Sequence, residues 1–137
     1  TVYKSQLFEV SEDRASGDIV RIETMKQVYN RVNLLSILLG HGFGNGVPIR
    51  TIHMEMSFLE VFHKQGLLGI CFWIYWLMVS YRDYKKVPPI YKSLASCFFL
   101  GIILLYIQSL FNPYINNPIG MSFIIVGYCS IHKHKFW

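Results

Sequence analysis

Long uncharged apolar runs dominate the second half of the chain. Residues 66–81 and 93–111 carry no charged side chain, and residues 112–131 form a third uncharged run that is most apolar from Ile119 onward. A helix needs about 20 such residues to cross the hydrocarbon core of a bilayer. The runs show no strict alternation of apolar and polar positions, which argues against a membrane barrel. The pattern predicts an all-α integral membrane protein with about three transmembrane helices.

The chain before these runs is more polar. Residues 1–17 are predicted to be irregular, and Asp18 is a plausible N-cap for a helix that follows. Over residues 19–39 apolar side chains recur at helical spacing, which is typical of an amphipathic helix. We therefore expect a helical segment ahead of the membrane spans.

A glycine-rich turn separates that helix from the first span. Residues 40–48 contain four glycines in nine positions, and residues 51–64 are predicted to return to helix and to run into the membrane. On such a helix His53, Ser57 and Glu60 would share one face, because positions four and seven apart lie on the same side. Titratable groups at the mouth of a span are costly, so they often mark functional sites.

The distribution of charge predicts the topology. Residues 1–65 have no net charge, whereas residues 82–92 carry a net +3 and residues 132–137 a net +2. Three spans would bring both basic stretches to the same side, and the positive-inside rule assigns that side to the cytoplasm. Residues 1–56 are then an extracytoplasmic segment and residues 57–137 a three-span region. Because the charge follows the membrane faces, nucleic-acid binding is not predicted.

Two kinds of side chain could carry chemistry at the extracytoplasmic mouth. His53 could act as a general base near neutral pH, with Glu60 beside it. Arg21, Arg31 and Arg50 could bind diphosphate oxygens through their planar guanidinium groups. Each side chain also has a plainer interpretation, a histidine satisfied by water or a headgroup and arginines on a solvated surface.

Other classes of site are not indicated. The glycine-rich turn lacks the lysine and hydroxyl residue of a phosphate-binding P-loop. The five histidines fall on both sides of the membrane and include no pair at metalloprotease spacing, so no metal site is predicted. The three cysteines lie far apart within apolar runs and are expected to be buried free thiols. We expect no cofactor.

Five short segments carry a family resemblance: SGDIVR at 16–21, GHGFG at 40–44, HMEMSFLE at 53–60, KQGLLG at 64–69 and the turn NPYINNP at 112–118. In this order and spacing they resemble the C-terminal portion of the bacterial O-antigen polymerase and O-antigen ligase family. Since the chain starts without methionine inside a polar segment, we expect it to be part of a longer polytopic protein.

The resemblance implies an inverting, metal-independent glycosyltransferase at the outer face of the bacterial inner membrane. The donor would be a glycan on undecaprenyl diphosphate, attacked by an acceptor sugar hydroxyl. His53 and Glu60 are the catalytic candidates, and Arg21, Arg31 and Arg50 the substrate-binding candidates. Membrane lipid and the chain-length regulator and flippase proteins are the implied partners.

A polymerase of O-antigen or capsule repeat units is the first interpretation. A ligase that attaches the glycan to the lipid A core shares the donor chemistry and stays open as an alternative. A non-catalytic transporter subunit is the alternative from another class, because three spans with polar ends would suit it as well.

Overall fold

The computed structural model describes the backbone of residues 2–135 and the side chains of residues 17–135. Within this part of the chain the structure is mostly helical and has no β-strand. Its helices are α1 (Val2–Arg31), α2 (Leu34–Leu39), α3 (Ser57–Lys85), α4 (Pro89–Gln108) and α5 (Pro118–His134). The all-α prediction agrees with this element content.

Helices α3, α4 and α5 form a bundle in which α3 and α5 run in the same direction. At one end, Ser57 Oγ donates a 2.9 Å hydrogen bond to the carbonyl of Asn112, just before α5. At the other end, buried Asp83 of α3 lies 2.7 Å from His132 Nδ1 and accepts a 3.1 Å hydrogen bond from Lys135 Nζ. The buried apolar core of this bundle and its connecting turns consists of Val61, Trp73, Val87, Ala95, Ile102, Tyr106, Ile115, Ile124 and Ile131.

The outer faces of this bundle are apolar as well as its interior. Leu68, Leu100, Leu104 and Val126 all expose more than half of their surface, whereas a surface helix of a soluble protein turns polar side chains outward. Among the described residues, α4 alone is long and apolar enough to cross a membrane, and only 17% of its most apolar window is buried. Exposed apolar surface of this extent is typical of a membrane or protein contact.

Helix α3 is kinked at Gly66, where φ is 65° and ψ is −157°. A kink disrupts the helical hydrogen bonds that span it, so carbonyls before it need other donors. The backbone N–H of His41 donates to the carbonyl of His63 at 2.8 Å, and the N–H of Gly42 donates to that of Lys64 at 2.9 Å. The glycine-rich turn is thereby docked onto the kink.

Only glycine fits where these two backbones meet. A Cβ on Gly40 would lie 2.3 Å from the carbonyl carbon of Lys64, and a Cβ on Gly66 would lie 2.5 Å from that of Leu38. Both glycines also have positive φ, a conformation that other residues rarely adopt. These two glycines therefore set how closely α2 and the turn approach α3.

The start of the first helix was predicted wrongly. Helix α1 begins at Val2 and continues through residues expected to be irregular. Asp18 consequently lies inside the helix rather than at its N-cap, and its carboxylate faces Arg21 one turn later at 3.3 Å. An acceptor residue followed by an apolar pattern resembles a cap, but here the side chain pairs along the helix instead.

The helix predicted over residues 19–39 is also interrupted, at Val32 and Asn33. The Ser36 N–H donates to Asn33 Oδ1, and the Asn33 N–H donates to Ser36 Oγ, both at 2.8 Å. This reciprocal capping box starts the separate helix α2. Continuous apolar spacing therefore did not prevent a local cap from ending one helix and beginning another.

The cysteines are free, as expected, but they are not buried. Cys71, Cys97 and Cys129 are exposed on the outside of the bundle. On helices that are apolar all round, sequence pattern alone does not separate the inner face from the outer one.

Candidate functional site

The segment that carries His53 is not helical, contrary to the sequence prediction. Helix α3 begins at Ser57, and residues 51–56 precede it as an irregular stretch. The predicted shared face of His53, Ser57 and Glu60 therefore does not exist. Ser57 Oγ instead donates to the carbonyl of Asn112 in the turn between α4 and α5.

His53 and Glu60 nevertheless meet, through a backbone fold rather than a helical face. Glu60 Oε2 accepts a 3.3 Å hydrogen bond from the backbone N–H of Met54. This contact draws the segment back over the first turn of α3, and His53 Nδ1 lies 3.4 Å from Glu60 Oε1. A histidine beside a carboxylate is an arrangement that fixes which ring nitrogen carries the proton.

A lysine that the sequence analysis did not single out completes this cluster. Lys64 lies one turn after Glu60 and donates from Nζ both to Glu60 Oε1 and to the carbonyl of Ile52, the latter at 2.8 Å. The Glu60 side chain is 4% exposed and that of Lys64 10%. Their four-residue spacing on a helix was the signal that could have identified the pair.

The surroundings of Glu60 favour its charged form. Burial raises the pKa of this carboxyl, but the hydrogen bonds from Lys64 and Asn116, together with the lysine charge, outweigh burial and bring the pKa below its ordinary value. A carboxylate of this kind is a weak base. Glu60 is therefore better suited to orient His53 than to accept a proton itself.

These groups line an open cleft of about 240 Å³ at the end of the bundle where α3 and α5 begin. The glycine-rich turn forms one wall and the start of α5 another. The lining side chains are Phe43, His53, Glu60, Val61, Lys64, Gln65, Trp73, Asn116 and Met121. The cleft thus combines an imidazole, the ion pair of Glu60 and Lys64, two side-chain amides and the rings of a phenylalanine and a tryptophan.

Two of the predicted arginines meet at a neighbouring carboxylate. Arg21 Nε donates to Glu55 Oε2 at 3.1 Å, and Arg50 Nη2 donates to the other oxygen of Glu55. Arg21 also pairs with Asp18. The three side chains of the arginine cluster, Arg21, Arg50 and Glu55, are between 35% and 39% exposed, so an anion from solution could reach them.

The third predicted arginine lies elsewhere. Arg31 Nη1 donates a 2.7 Å hydrogen bond to the carbonyl of Gly46 in the glycine-rich turn. Its own carbonyl lies 3.0 Å from His41 Nε2. The structure therefore separates Arg31 from Arg21 and Arg50 and gives it a contact with the turn.

Two stacked histidines support the docked turn. The rings of His41 and His63 lie 4.5 Å apart, and His41 Nδ1 is 3.2 Å from the carbonyl of His63. Burial lowers the pKa of His63, and electrostatic interactions with His41, Arg31 and Lys64 lower it further. Because His63 is 1% exposed and its ring stacks on that of His41, we assign it to packing of the turn.

Metal ligation finds no support in the described side chains. Among residues 17–135, no three side chains of His, Cys, Asp or Glu converge as the ligands of a metal ion would.

The chain is similar in sequence to a known protein. The chain is 27% identical over 121 residues to an O-antigen polymerase of Shigella flexneri, and the match covers 86% of this chain but 30% of that protein. The chain therefore spans less than a third of the length of this relative. No protein-family model matches the chain, and no solved structure does. The similarity supports, at low identity, the resemblance to O-antigen polymerases that the sequence motifs indicated.

Proposed function

We propose that this chain forms part of a membrane-embedded glycan polymerase. The enzyme would transfer an oligosaccharide repeat unit from undecaprenyl diphosphate to an acceptor sugar hydroxyl. The observation that carries the proposal is the similarity to the O-antigen polymerase of Shigella flexneri, which extends over most of the chain. Flippase and chain-length regulator proteins are the partners that such an enzyme would work with.

The proposal includes three membrane spans formed by residues 66–81 of α3, by α4 and by α5. The apolar outer faces of these helices support it. The basic ends of α3 and α5 lie together at the Asp83 cluster, at the end of the bundle opposite the cleft. Under the positive-inside rule the cleft then faces the outside of the inner membrane.

In the proposed mechanism His53 is the general base. With Nδ1 held toward Glu60, the tautomer protonated at Nδ1 leaves Nε2 to accept the proton of the acceptor hydroxyl. The acceptor oxygen forms a bond to the anomeric carbon as the bond from that carbon to the diphosphate oxygen breaks. Attack opposite the leaving group inverts the configuration at the anomeric carbon. The electrons of the broken bond stay with the departing lipid diphosphate, which therefore gains negative charge.

Arg21 and Arg50 are the proposed diphosphate ligands. Both guanidinium groups already point at one carboxylate, that of Glu55. A diphosphate would take the position of this carboxylate and gain the same charge-assisted hydrogen bonds. Stabilising the leaving group in this way contributes to the rate because its charge grows in the transition state. Arg31 would act on substrate only through its support of the glycine-rich turn.

The test uses the purified full-length protein reconstituted with lipid-linked glycan. We expect release of undecaprenyl diphosphate together with lengthened glycan, and we expect His53→Ala to slow the reaction by about 10²–10⁴-fold, the range for a general base. His53→Gln, which can hydrogen-bond a hydroxyl but not take its proton at neutral pH, should be as slow. A transporter subunit would release no undecaprenyl diphosphate, and normal turnover of His53→Ala would reject the base assignment.

Deletion of the full gene separates a polymerase from a ligase. Loss of a polymerase leaves single repeat units on lipid A, as seen by glycan electrophoresis. Loss of a ligase leaves long chains that are not attached to lipid A, and that outcome would reject the polymerase.

A further inference from the structure

Lys64 is a nearly buried lysine beside the proposed base. Its side chain is 10% exposed, and its Nζ donates to Glu60 Oε1 and to the carbonyl of Ile52. Burying an ammonium group is costly unless its charge is paired and its protons are hydrogen-bonded. Here the charge is paired with Glu60 and two of the three N–H groups have acceptors, at the inner wall of the cleft.

The contacts of this ion pair converge on three consecutive residues. Lys64 holds the carbonyl of Ile52, Glu60 accepts the N–H of Met54 at 3.3 Å, and Glu60 Oε1 lies 3.4 Å from Nδ1 of the residue between them, His53. The His53 side chain itself is 79% exposed. Its position therefore depends on the anchoring of the backbone on either side of it.

The ion pair also sets the charge that His53 meets. The charged or titratable groups facing Glu60 among the described residues are Lys64 on α3 and His53 in the segment before it, and the turn before α5 adds the neutral amide of Asn116. An unpaired carboxylate at this distance would favour the protonated imidazole. Lys64 offsets much of that attraction.

We propose that Lys64 is a positioning residue that acts through Glu60. It holds residues 52–54 against α3, and its ammonium group offsets the negative charge that the Glu60 carboxylate presents to the His53 imidazole. The catalytic consequence rests on the proposed function of His53, whereas the electrostatic coupling can be measured without turnover.

The test measures carbethoxylation of His53 by diethyl pyrocarbonate as a function of pH. The reagent modifies the neutral imidazole, and peptide mass spectrometry of the full-length protein in detergent resolves each histidine. In Lys64→Met the midpoint of the pH dependence should rise by about one pH unit, the low end of the effect of a nearby unbalanced charge because the ring is solvated. In Glu60→Gln it should fall, and in the double variant it should lie between the two.

Two further variants make the result specific. Lys64→Arg keeps the charge and should keep the midpoint of the wild type. Lys86→Met removes an exposed lysine beyond the far end of α3 and should change nothing. If Lys64→Met does not accumulate in the membrane, the midpoints of Glu60→Gln and Lys64→Arg still test the proposal. Equal midpoints in the wild type and Glu60→Gln, or a shift in Lys64→Arg as large as that predicted for Lys64→Met, would overturn the proposal.

Turnover gives an independent readout. Lys64→Met should lower kcat with little change in KM, and the acid limb of its pH profile should move upward together with the midpoint. An inactive wild type would reject the proposed function while the midpoints still decide the role of Lys64. An active wild type with unshifted midpoints would reject the role of Lys64 alone.

Discussion

Replacing Gly66 by alanine should undock the glycine-rich turn from α3. The new Cβ would lie 2.5 Å from the carbonyl carbon of Leu38 and 2.6 Å from the backbone nitrogen of Gly40. Backbone atoms cannot step aside as a flexible side chain does, so either α2 moves away or the kink straightens. Either change separates His41 and Gly42 from the carbonyls that they now bond.

The size of the effect follows from two contributions. Gly66 combines a φ of 65° with a ψ of −157°, a conformation that is essentially restricted to glycine and costs another residue about 1–3 kcal/mol. Losing the hydrogen bonds of His41 and Gly42 to α3 costs about 0.5–1.5 kcal/mol each. We therefore expect Gly66→Ala to lower the free energy of unfolding by about 2–6 kcal/mol, the sum of these ranges.

Two other glycines provide matched controls. Gly44 has a φ of +92° but open space around its Cβ position, so Gly44→Ala should show the conformational cost without the clash. Gly17 lies within α1 with nothing near its Cβ position, so Gly17→Ala should be neutral or stabilise the helix by up to about 1 kcal/mol.

The assay combines thermal unfolding in detergent with limited proteolysis. Gly66→Ala should unfold first, then Gly44→Ala, then the wild type and Gly17→Ala. Gly66→Ala alone should open the turn to protease, and it should lower turnover because Phe43 leaves the wall of the cleft. Equal stability of Gly66→Ala and Gly44→Ala, with an equally protected turn, would refute the account of the docking.

Three further predictions concern the arginines, the basic end of the bundle and the topology. Arg21→Gln and Arg50→Gln should each raise KM for the lipid-linked donor by about tenfold. A charge-assisted hydrogen bond contributes about 1.5–3 kcal/mol, and we take the low end because both arginines are partly exposed to solvent. Unchanged donor kinetics in both variants would reject the diphosphate assignment. At the other end, burial raises the pKa of Asp83, but hydrogen bonds from His132 and Lys135 outweigh it and bring the pKa below its ordinary value. The ionised Asp83 carboxylate therefore stabilises the fold at pH values above its ordinary pKa, and this contribution is lost as the pH falls from the ordinary pKa through the lowered one. Asp83→Asn should be less stable than the wild type at pH 7 by about 1–3 kcal/mol, and the difference should shrink in acid. A difference in stability that is independent of pH would contradict this. In a cysteine-free background, a cysteine at Gly44 should react with an impermeant maleimide in intact cells and one at Lys86 should not, and the reverse pattern would invert the topology.

The sequence by itself determined the helical class and the position of the strongest candidate span. Both depend on local properties, because a helix satisfies its own backbone hydrogen bonds and a long apolar run has no polar group to keep it from lipid. The glycines of the turn were also evident from the sequence, although their purpose was not. Residues 40–48 could be predicted as a turn without knowing that this turn docks onto a kink at Gly66.

Only the tertiary structure decided which side chains meet. Lys64 on α3 contacts the carbonyl of Ile52 in the irregular segment before that helix. Arg21 on α1 contacts Glu55, which is 34 residues away in the sequence. Hydropathy and helical spacing describe neighbours along one element, whereas these contacts depend on how the chain returns upon itself. For the same reason His53 was predicted to lie in a helix. The Met54 N–H donates to the side chain of Glu60 on α3, and this hydrogen bond holds residues 51–56 in an irregular conformation before α3 begins.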